Sequence, residues 1–294
     1  MLSLRRDAKV KDGPSTSSGR TEIVGEALRD AAQRLSATSD TARLDAELLM
    51  AHALGTSRSD LLMKHMRDEA PASFDAYVKR RSANEPVAHI LGRQEFFGLD
   101  FAVTKDTLIP RGDSETIVQA GLDHARLNAR VLDMGTGSGA LLLALLAERT
   151  DATGVGIDIS PAALAVAQGN SEALGLANRA DFRVASWLND GWSDDLGRFD
   201  LILCNPPYVE DHAELDPDVR DYEPASALFA GPEGLDDYRA IVPQLGKLLL
   251  PEGIAVLEIG WKQADAVSEI ARESRFETEL RHDLAGRPRA LILR

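Results

Sequence analysis

The chain has 294 residues, of which 44% are apolar and 27% charged, so it suits a soluble globular protein with room for two unequal domains. Its apolar runs are far shorter than the ~20 residues that a membrane-spanning helix needs. The N-terminus lacks the apolar stretch of a secretory signal. A single cysteine, Cys204, excludes an intramolecular disulfide and a cysteine-built zinc site. We therefore expect a cytoplasmic protein that does not associate with a membrane.

Negative charge is concentrated in the second part of the chain. Residues 1–90 carry 14 Lys and Arg against 13 Asp and Glu, whereas residues 91–294 carry 19 against 34. A surface this acidic repels the phosphates of a nucleic acid backbone. We expect no direct binding to duplex nucleic acid.

The first 114 residues divide into three predicted segments. Residues 1–21 are rich in Ser, Gly and Pro and have no apolar period, which predicts a disordered tail. Over residues 22–90 the apolar side chains recur at helical spacings, which predicts three or four amphipathic helices in a small N-terminal helical domain. Residues 91–114 predict a β-hairpin linker that turns at Gly98-Leu99-Asp100.

Strand-like and helical segments alternate from residue 115 to residue 294. Five apolar segments predict strands, at residues 130–134, 154–158, 181–184, 199–204 and 253–259. Ser160-Pro161 predicts a helix N-terminus after the second of them. This alternation predicts an α/β fold with a Rossmann-like parallel sheet covered on both faces. Two final strands, near residues 277–281 and 289–293, are predicted to pair antiparallel at the sheet edge.

A glycine-rich loop, Asp133-Met134-Gly135-Thr136-Gly137-Ser138-Gly139-Ala140, joins the first predicted strand to a helix. Ligands of open parallel sheets bind at such strand ends, where glycines allow close approach. Asp158, at the end of the next strand, can accept hydrogen bonds from ribose hydroxyls. The loop fits the relaxed fingerprint of a dinucleotide and also fits S-adenosylmethionine. The Asp133 carboxylate favours S-adenosylmethionine, because it would repel a pyrophosphate and attract the ligand's ammonium group.

A second motif, Asn205-Pro206-Pro207-Tyr208, directly follows the predicted strand at residues 199–204. Its prolines fix φ and make the segment stiff. The Asn205 side-chain oxygen and the Pro206 carbonyl can accept both hydrogens of a planar NH₂ group, and Tyr208 can cover one of its faces. Such a clamp would direct an amide or aromatic amino nitrogen at a sulfonium methyl group. Attack needs no general base, because the proton can leave afterwards.

With the segments Glu95-Phe96-Phe97-Gly98-Leu99 and Gly234-Leu235-Asp236-Asp237-Tyr238-Arg239, these motifs resemble the bacterial peptide chain release factor N5-glutamine methyltransferases, the PrmC/HemK family. The resemblance runs from about residue 22 to residue 294. It implies a class I S-adenosylmethionine-dependent methyltransferase whose N-terminal helical domain docks the substrate. It also implies methylation of the glutamine in the Gly-Gly-Gln motif of peptide chain release factors 1 and 2. We expect a monomer without a metal ion.

The motifs and the resemblance together give the predicted site residues. Those predicted to bind the cofactor are Asp133, Gly135, Thr136, Gly137, Ser138, Gly139, Asp158, Trp187 and Asn205, with Trp187 packing on the adenine. Those predicted to be catalytic are Asn205, Pro206, Pro207 and Tyr208. Those predicted to bind the glutamine substrate are the same four together with Phe97, Arg111 and Glu115. Residues Ile109 to Glu115 are similar to the family's Ile-Pro-Arg-Pro-Glu/Asp-Thr-Glu, from which Gly112 and Ser114 depart.

Three alternatives stay open at this point. A glutamine methyltransferase of ribosomal protein L3 shares the Asn-Pro-Pro-Tyr motif, but its Pro-Arg segment characteristically continues Ser-Pro-Ile-Ala-Glu, unlike the sequence after Arg111. An adenine-N6 DNA methyltransferase shares the motif too, because a flipped adenine presents a planar NH₂ group. The acidic surplus of the catalytic half disfavours that substrate. A catalytically inactive cofactor-binding module is disfavoured because every residue of the clamp is present.

Overall fold

The computed structural model describes residues 22–294, and their contacts divide into two units between Lys79 and Arg80. The tail predicted at residues 1–21 lies outside the described residues. Within residues 22–294, every helix is too short or too polar to cross a membrane.

The first unit is helical, as its apolar spacing predicts. Its helices are α1 (Val24–Leu35), α2 (Ala42–Leu54), α3 (Arg58–Asp60), which continues as a π-helical turn at Leu61–His65, and α4 (Phe74–Ser82), in which the boundary between the units falls. Helix α1 buries Val24, Leu28 and Leu35 on one stripe and packs against α2. These helices therefore hold together through one shared apolar seam.

The second unit opens with a short helix and a hairpin. These elements are α5 (Val87–Leu91), β1 (Arg93–Phe96) and β2 (Leu99–Ala102). The turn lies at Phe97-Gly98, so the predicted turn at Gly98-Leu99-Asp100 is wrong by one residue. Phe97 and Gly98 both have positive φ, of 52° and 75°, as a two-residue hairpin turn requires. The Glu115 carboxylate supports the turn by accepting the Phe97 N–H at 3.0 Å.

A seven-stranded sheet forms the centre of this unit. Its strands are β3 (Arg130–Met134), β4 (Thr153–Asp158), β5 (Ala180–Val184), β6 (Phe199–Cys204), β7 (Leu249–Glu258), β8 (Thr278–His282) and β9 (Pro288–Leu293). The helices between and before them are α6 (Glu115–His124), α7 (Ala140–Glu148), α8 (Pro161–Ala173), α9 (Pro217–Tyr222), α10 (Asp236–Leu248) and α11 (Ala264–Glu273). As predicted, Ser160 caps α8 by accepting the Ala163 N–H at 3.2 Å.

The strand order is β5-β4-β3-β6-β7-β9-β8, and the first five strands in this order run parallel. Strands β8 and β9 form the predicted antiparallel pair at one edge. The chain passes outward from β3 to β4 and β5 and then returns to place β6 on the other side of β3. This reversal creates a crevice between the carboxyl ends of β3 and β6, where ligands of such sheets bind.

Apolar side chains cover both faces of the sheet. Val131, Leu201 and Leu203 face one core with α6 and α7, while Leu132 and Ile202 face the other with α10 and α11. Because successive residues of a strand point to opposite faces, near-continuous apolar strands are the expected pattern for a sheet buried on both sides. The two cores hold β3 and β6 rigidly, and so hold the loops that leave their ends.

Candidate active site

The glycine loop and the Asn-Pro-Pro-Tyr motif meet at the crevice between β3 and β6. Met134 and Cys204, the last residues of the two strands, pair in parallel register. The chain therefore enters Gly135 and Asn205 side by side, and a Cβ built on Gly135 would lie 3.9 Å from the Asn205 carbonyl oxygen. Two motifs 70 residues apart in sequence form one site because their strands are neighbours.

A cavity of about 450 Å³ opens at this point. The predicted site residues that line it are Arg111, Gly135, Thr136, Gly137, Ser138, Asp158, Trp187, Asn205 and Pro207. Those that lie outside its lining are Asp133, Gly139, Pro206, Tyr208, Phe97 and Glu115. The lining brings most of the predicted cofactor residues together with the first residue of the predicted clamp.

Backbone hydrogen bonds fix the glycine loop to Asp158. One Asp158 carboxylate oxygen accepts the Gly137 N–H at 2.9 Å, and the other accepts the Ser160 N–H at 2.9 Å. The N–H groups of Gly135 and Thr136 both donate to the Ile157 carbonyl at 2.9 Å. Asp158 is thus held at the cavity wall, and its oxygens keep lone pairs free for a ligand's hydroxyl groups.

Trp187 lines the cavity with its ring close to the glycine loop. A Cβ on Gly135 would lie 3.3 Å from the Trp187 ring, and Gly135 has a φ of 73°, so this position suits glycine on both counts. The indole Nε1–H donates to Asp237 Oδ1 at 2.8 Å. Burial raises the pKa of Asp237, and the indole donor partly offsets that effect. Asp237 also lines the cavity, and it fixes the plane of the ring.

Asp133 lies beneath the loop and is fully buried. Its Oδ2 accepts the Thr136 hydroxyl at 2.6 Å, whereas its Oδ1 has no hydrogen-bond partner among the described residues. Burial raises the pKa of Asp133 to about 7. The carboxyl group thus carries unused acceptor capacity directly behind Gly135.

The Asn-Pro-Pro-Tyr segment leaves β6 in a fixed conformation. Pro206 is buried and Pro207 lines the cavity. The Tyr208 carbonyl accepts Gln263 Nε2 at 3.1 Å, and Gly234, with a φ of 66°, approaches that carbonyl so closely that a Cβ would lie 2.3 Å from it. Among the described residues, no hydrogen bond engages the Asn205 side-chain oxygen or the Pro206 carbonyl oxygen. The two acceptors predicted to hold an NH₂ group are therefore available.

The Tyr208 hydroxyl and the Asn205 amide both connect to a buried carboxylate. Tyr208 donates to Glu258 Oε1 at 3.1 Å. The Asn205 amide nitrogen donates to Ser114 Oγ at 3.4 Å, and Ser114 donates to Glu258 Oε2 at 2.5 Å. The Tyr208 ring therefore packs beside the site with its hydroxyl turned toward Glu258.

Arg111 lines the cavity and forms an ion pair with Glu223, whose side chain is almost fully buried. Burial raises the pKa of Glu223, although the Arg111 guanidinium opposes this shift. The pair ties the loop before α6 to the segment after α9. Arg111 thus has a structural partner at the place predicted for a substrate contact.

Phe97 and Glu115 join the hairpin to α6 through their hydrogen bond. Phe96, and not Phe97, lines the cavity.

Asn170 also ties separate segments together, a role that the sequence did not suggest. Its amide nitrogen donates to the carbonyls of Ser138 and Ala102, at 2.9 and 3.0 Å, so α8 supports the glycine loop and the hairpin together.

Sequence reasoning missed Ser114, Glu258 and the role of Asp237 at the site. The sequence did contain a sign that Glu258 is special, because it is the single acid in the apolar segment at residues 254–259. Such an acid must either lie at a strand end or have a hydrogen-bonding or charged partner. Ser114 and Asp237 gave no such signal, since serine and aspartate are common at helix starts. Among the described residues, no cluster of His, Cys, Asp and Glu has the arrangement of a metal site.

Comparison with known proteins agrees with this geometry. The sequence profile of the PrmC N-terminal domain matches residues 26–92, and that of a methyltransferase domain matches residues 126–282. The release factor glutamine methyltransferase of Rhodospirillum rubrum is 41% identical over 290 residues, covering 96% of this chain and 88% of its own length. That of Cereibacter sphaeroides is 42% identical over 277 residues, covering 92% of this chain and 97% of its own.

Among solved structures, the ribosomal protein L11 methylase of Lactobacillus delbrueckii subsp. bulgaricus is 22% identical, with a TM-score of 0.45 over 63% of this chain and 79% of its own. The two curated relatives pass 40% identity over nearly the whole chain, and the two profiles together match most of it. The chain therefore belongs to the release factor glutamine methyltransferase family.

Proposed function

We propose that this protein transfers a methyl group from S-adenosylmethionine to the side-chain amide nitrogen of the glutamine in the Gly-Gly-Gln motif of peptide chain release factors. One observation carries the proposal. Asn205 and the glycine loop line the same cavity, while the Asn205 side-chain oxygen and the Pro206 carbonyl have no hydrogen-bond partner among residues 22–294. The relatives' shared name supports the choice of substrate.

The cavity suits S-adenosylmethionine in charge and in shape. Asp158 offers a fixed carboxylate for ribose hydroxyls, and the Trp187 ring, which lies against Gly135, offers a flat apolar wall of the cavity. Asp133 lies behind the loop with an unpartnered buried oxygen, and in its ionised form its charge would favour a cationic ligand over a pyrophosphate. S-adenosylmethionine, when bound, supplies a methyl group on a cationic sulfur.

The chain's own residues would make the glutamine nitrogen reactive. An amide nitrogen is a weak nucleophile, because its lone pair is delocalised into the carbonyl. By accepting both N–H hydrogens, Asn205 Oδ1 and the Pro206 carbonyl would hold the nitrogen in one orientation and favour a lone pair directed into the cavity. They would also stabilise the positive charge that develops on the nitrogen, and the proton leaves after attack.

The domains would divide the work. We assign docking of the release factor to residues 22–90, linkage to residues 91–114 and catalysis to residues 115–294. Leu62 and Met63, adjacent apolar residues exposed on the first unit, are our candidates for the contact with the release factor. We further propose release factors 1 and 2 as the substrates, a monomer as the working form, and the cytoplasm, where translation ends, as the location.

Transfer of isotope from methyl-labelled S-adenosylmethionine to purified release factor tests the proposal. We expect label on the wild-type release factor and none on a variant whose Gly-Gly-Gln glutamine is replaced by alanine. Ribosomal protein L3 and adenine-containing duplex DNA serve as competing substrates. Label on either of these, with none on the release factor, would refute the proposal.

A further inference from the structure

We infer that Glu258 is a positioning residue, which acts through Ser114 to set the end of the Asn205 amide that faces the cavity. This inference rests on the proposed function, because it concerns the group that would hold the glutamine. It adds a residue that neither touches the substrate nor lines the cavity.

Glu258 occupies an unusual place for an acid. It is the last residue of β7 and only 1% exposed, and it follows a run of buried apolar residues. Leu257 pairs with Cys204 of β6, so Glu258 lies beside Asn205 where the two strands end. Burying a carboxyl group is unfavourable unless hydrogen bonds and charges compensate for the lost water. A compensating set of partners should therefore surround it.

The partners of Glu258 all present hydrogens. Ser114 donates to Oε2 at 2.5 Å, Tyr208 donates to Oε1 at 3.1 Å, and the Arg289 guanidinium lies 4.0 Å from Oε1. Burial raises the pKa of Glu258, whereas the Ser114 and Tyr208 hydrogen bonds and the Arg289 guanidinium favour its ionised form. As a carboxylate, Glu258 accepts from each of these neighbours and donates to none. Arg289 is held in turn by Asp113 at 2.8 Å.

The direction of the hydrogen bond from Ser114 to Glu258 determines the direction of the hydrogen bond between Asn205 and Ser114. A serine hydroxyl has a single hydrogen, and in Ser114 that hydrogen is committed to Glu258. Ser114 Oγ can therefore only accept, and the Asn205 amide must turn its NH₂ end toward it, at 3.4 Å. In the reversed amide, the Asn205 oxygen would face the lone pairs of Ser114. The acceptor end of Asn205 is thereby left for the cavity.

Substitutions on the full-length protein separate this relay from plain packing. Ser114→Ala removes the acceptor for the Asn205 NH₂ group, while Ser114→Thr keeps the hydroxyl. Glu258→Gln keeps the shape of the side chain but adds an NH₂ group that can donate to Ser114. The double variant Ser114→Ala with Glu258→Gln tests whether the two residues act through each other. Asp123→Asn is the control, since its carboxylate, on the helix that follows Ser114, contacts Gln119 and Arg281 and lies outside the relay.

We expect Ser114→Ala to lower kcat on release factor about tenfold, the scale of one lost hydrogen bond, with the dissociation constant for S-adenosylmethionine unchanged. Ser114→Thr and Asp123→Asn should turn over like the wild type. The double variant should be no slower than the slower single variant, because the two residues act in series. Wild-type turnover by Ser114→Ala, or effects that multiply in the double variant, would overturn the inference.

A readout that needs no substrate keeps this inference separate from the proposed function. The Asn205 side-chain NH₂ signals, assigned by their loss in Asn205→Asp, should shift and exchange faster with water in Ser114→Ala but not in Ser114→Thr. If these signals are the same in Ser114→Ala as in the wild type, the relay is absent. If the wild type transfers no label at all, the proposed function fails while this measurement still decides the relay. Should Glu258→Gln not fold, the two Ser114 variants decide.

Discussion

The Trp187 indole N–H donates to Asp237 Oδ1 at 2.8 Å, and its ring lies against Gly135 of the glycine loop. Trp187 follows β5 and Asp237 lies in the first turn of α10, so the contact joins the two flanks of the cavity. The hydrogen bond thereby holds the indole ring against the loop at the cavity wall. The carboxylate is half-buried, which makes its bond to the indole stronger than a bond fully exposed to water.

Asp237→Ala should weaken S-adenosylmethionine binding by about 5- to 30-fold, because a free indole can rotate away from the loop and the lost bond involves a charged acceptor. Isothermal calorimetry measures this directly. The matched control is Asp236→Asn at the adjacent residue, which contacts Arg239 on the surface and should bind the cofactor normally. Equal weakening by both variants would show that the start of α10 matters, and not the bond to Trp187.

Asn205→Ala should lower turnover by about 10²–10³, the scale observed when one preorganised hydrogen-bonding group is removed from a reaction centre. Cofactor binding should change little, since Asp158 and Trp187 remain. Single-turnover transfer of label, with release factor and cofactor both saturating, is the relevant measurement. Asn189→Ala, at an exposed asparagine of the loop after Trp187, is the control. Turnover by Asn205→Ala within a few-fold of the wild type would refute the clamp.

The sequence predicted the sheet and the two motifs at its strand ends. It did not predict the hydrogen bonds from distant residues that hold these motifs in place. The apolar period and the position of each motif after a strand follow from short-range patterns, so a ligand site at these strand ends could be anticipated. The strand order that makes Gly135 and Asn205 neighbours came from the structure. The hairpin turn differed because Phe97 adopts a positive φ, which the Glu115 carboxylate stabilises from 18 residues away. No local pattern encodes such a contact.

The same reasoning explains why the polar relay was missed. Ser114 and Glu258 are 144 residues apart, and only the packing of α6 beside the end of β7 brings them within 2.5 Å. Tyr208 was predicted to cover a substrate face from its place in the motif alone. That role stays a prediction, and its hydroxyl donates to Glu258, a partner that no spacing in the sequence could reveal.

Asp158→Ala should weaken binding of S-adenosylmethionine by about 1–3 kcal/mol, since it removes a carboxylate acceptor and frees the Gly137 N–H. S-adenosylhomocysteine carries the same ribose, so calorimetry should give the same loss for both ligands. Asp181→Ala, at an exposed carboxylate of β5 paired with Arg183, should leave both affinities unchanged. A loss confined to one of the two ligands would place Asp158 away from the ribose.

Replacing Leu62 and Met63 together by serine should raise KM for intact release factor about tenfold and leave KM for a short Gly-Gly-Gln peptide unchanged. The reason is that apolar surface buried on binding contributes about 25 cal/mol per Å², so that losing the two side chains together costs about 1.4 kcal/mol, which is tenfold in affinity. Leu127→Ser removes an apolar side chain that is even more exposed, at 82%, from the second unit and serves as the control. If KM for the peptide rises as much as KM for the protein, residues 22–90 do not dock the release factor.

Asp133 should make the second unit less stable as the pH rises from about 4 to about 7. Burial raises its pKa to about 7 in the folded protein, so the folded state keeps a proton that the unfolded chain has already released. Across that window each pH unit lowers the free energy of unfolding by about 1.4 kcal/mol, and above the folded pKa the loss is complete. Asp133→Asn stays neutral at every pH, so its stability lacks this dependence on pH. The stability of the wild type relative to this variant should therefore fall by about 2–3 kcal/mol between pH 5 and pH 8.

Urea unfolding followed by tryptophan fluorescence measures this difference, since Trp187, Trp192 and Trp261 all belong to the second unit. Asp190→Asn, at an exposed carboxylate, controls for the loss of one negative charge. The wild type should keep a constant difference in stability from that control over the same pH range. If the stability difference between the wild type and Asp133→Asn is also constant over this range, Asp133 is already ionised at pH 5. Its unpartnered oxygen would then carry a negative charge behind Gly135 throughout the physiological range.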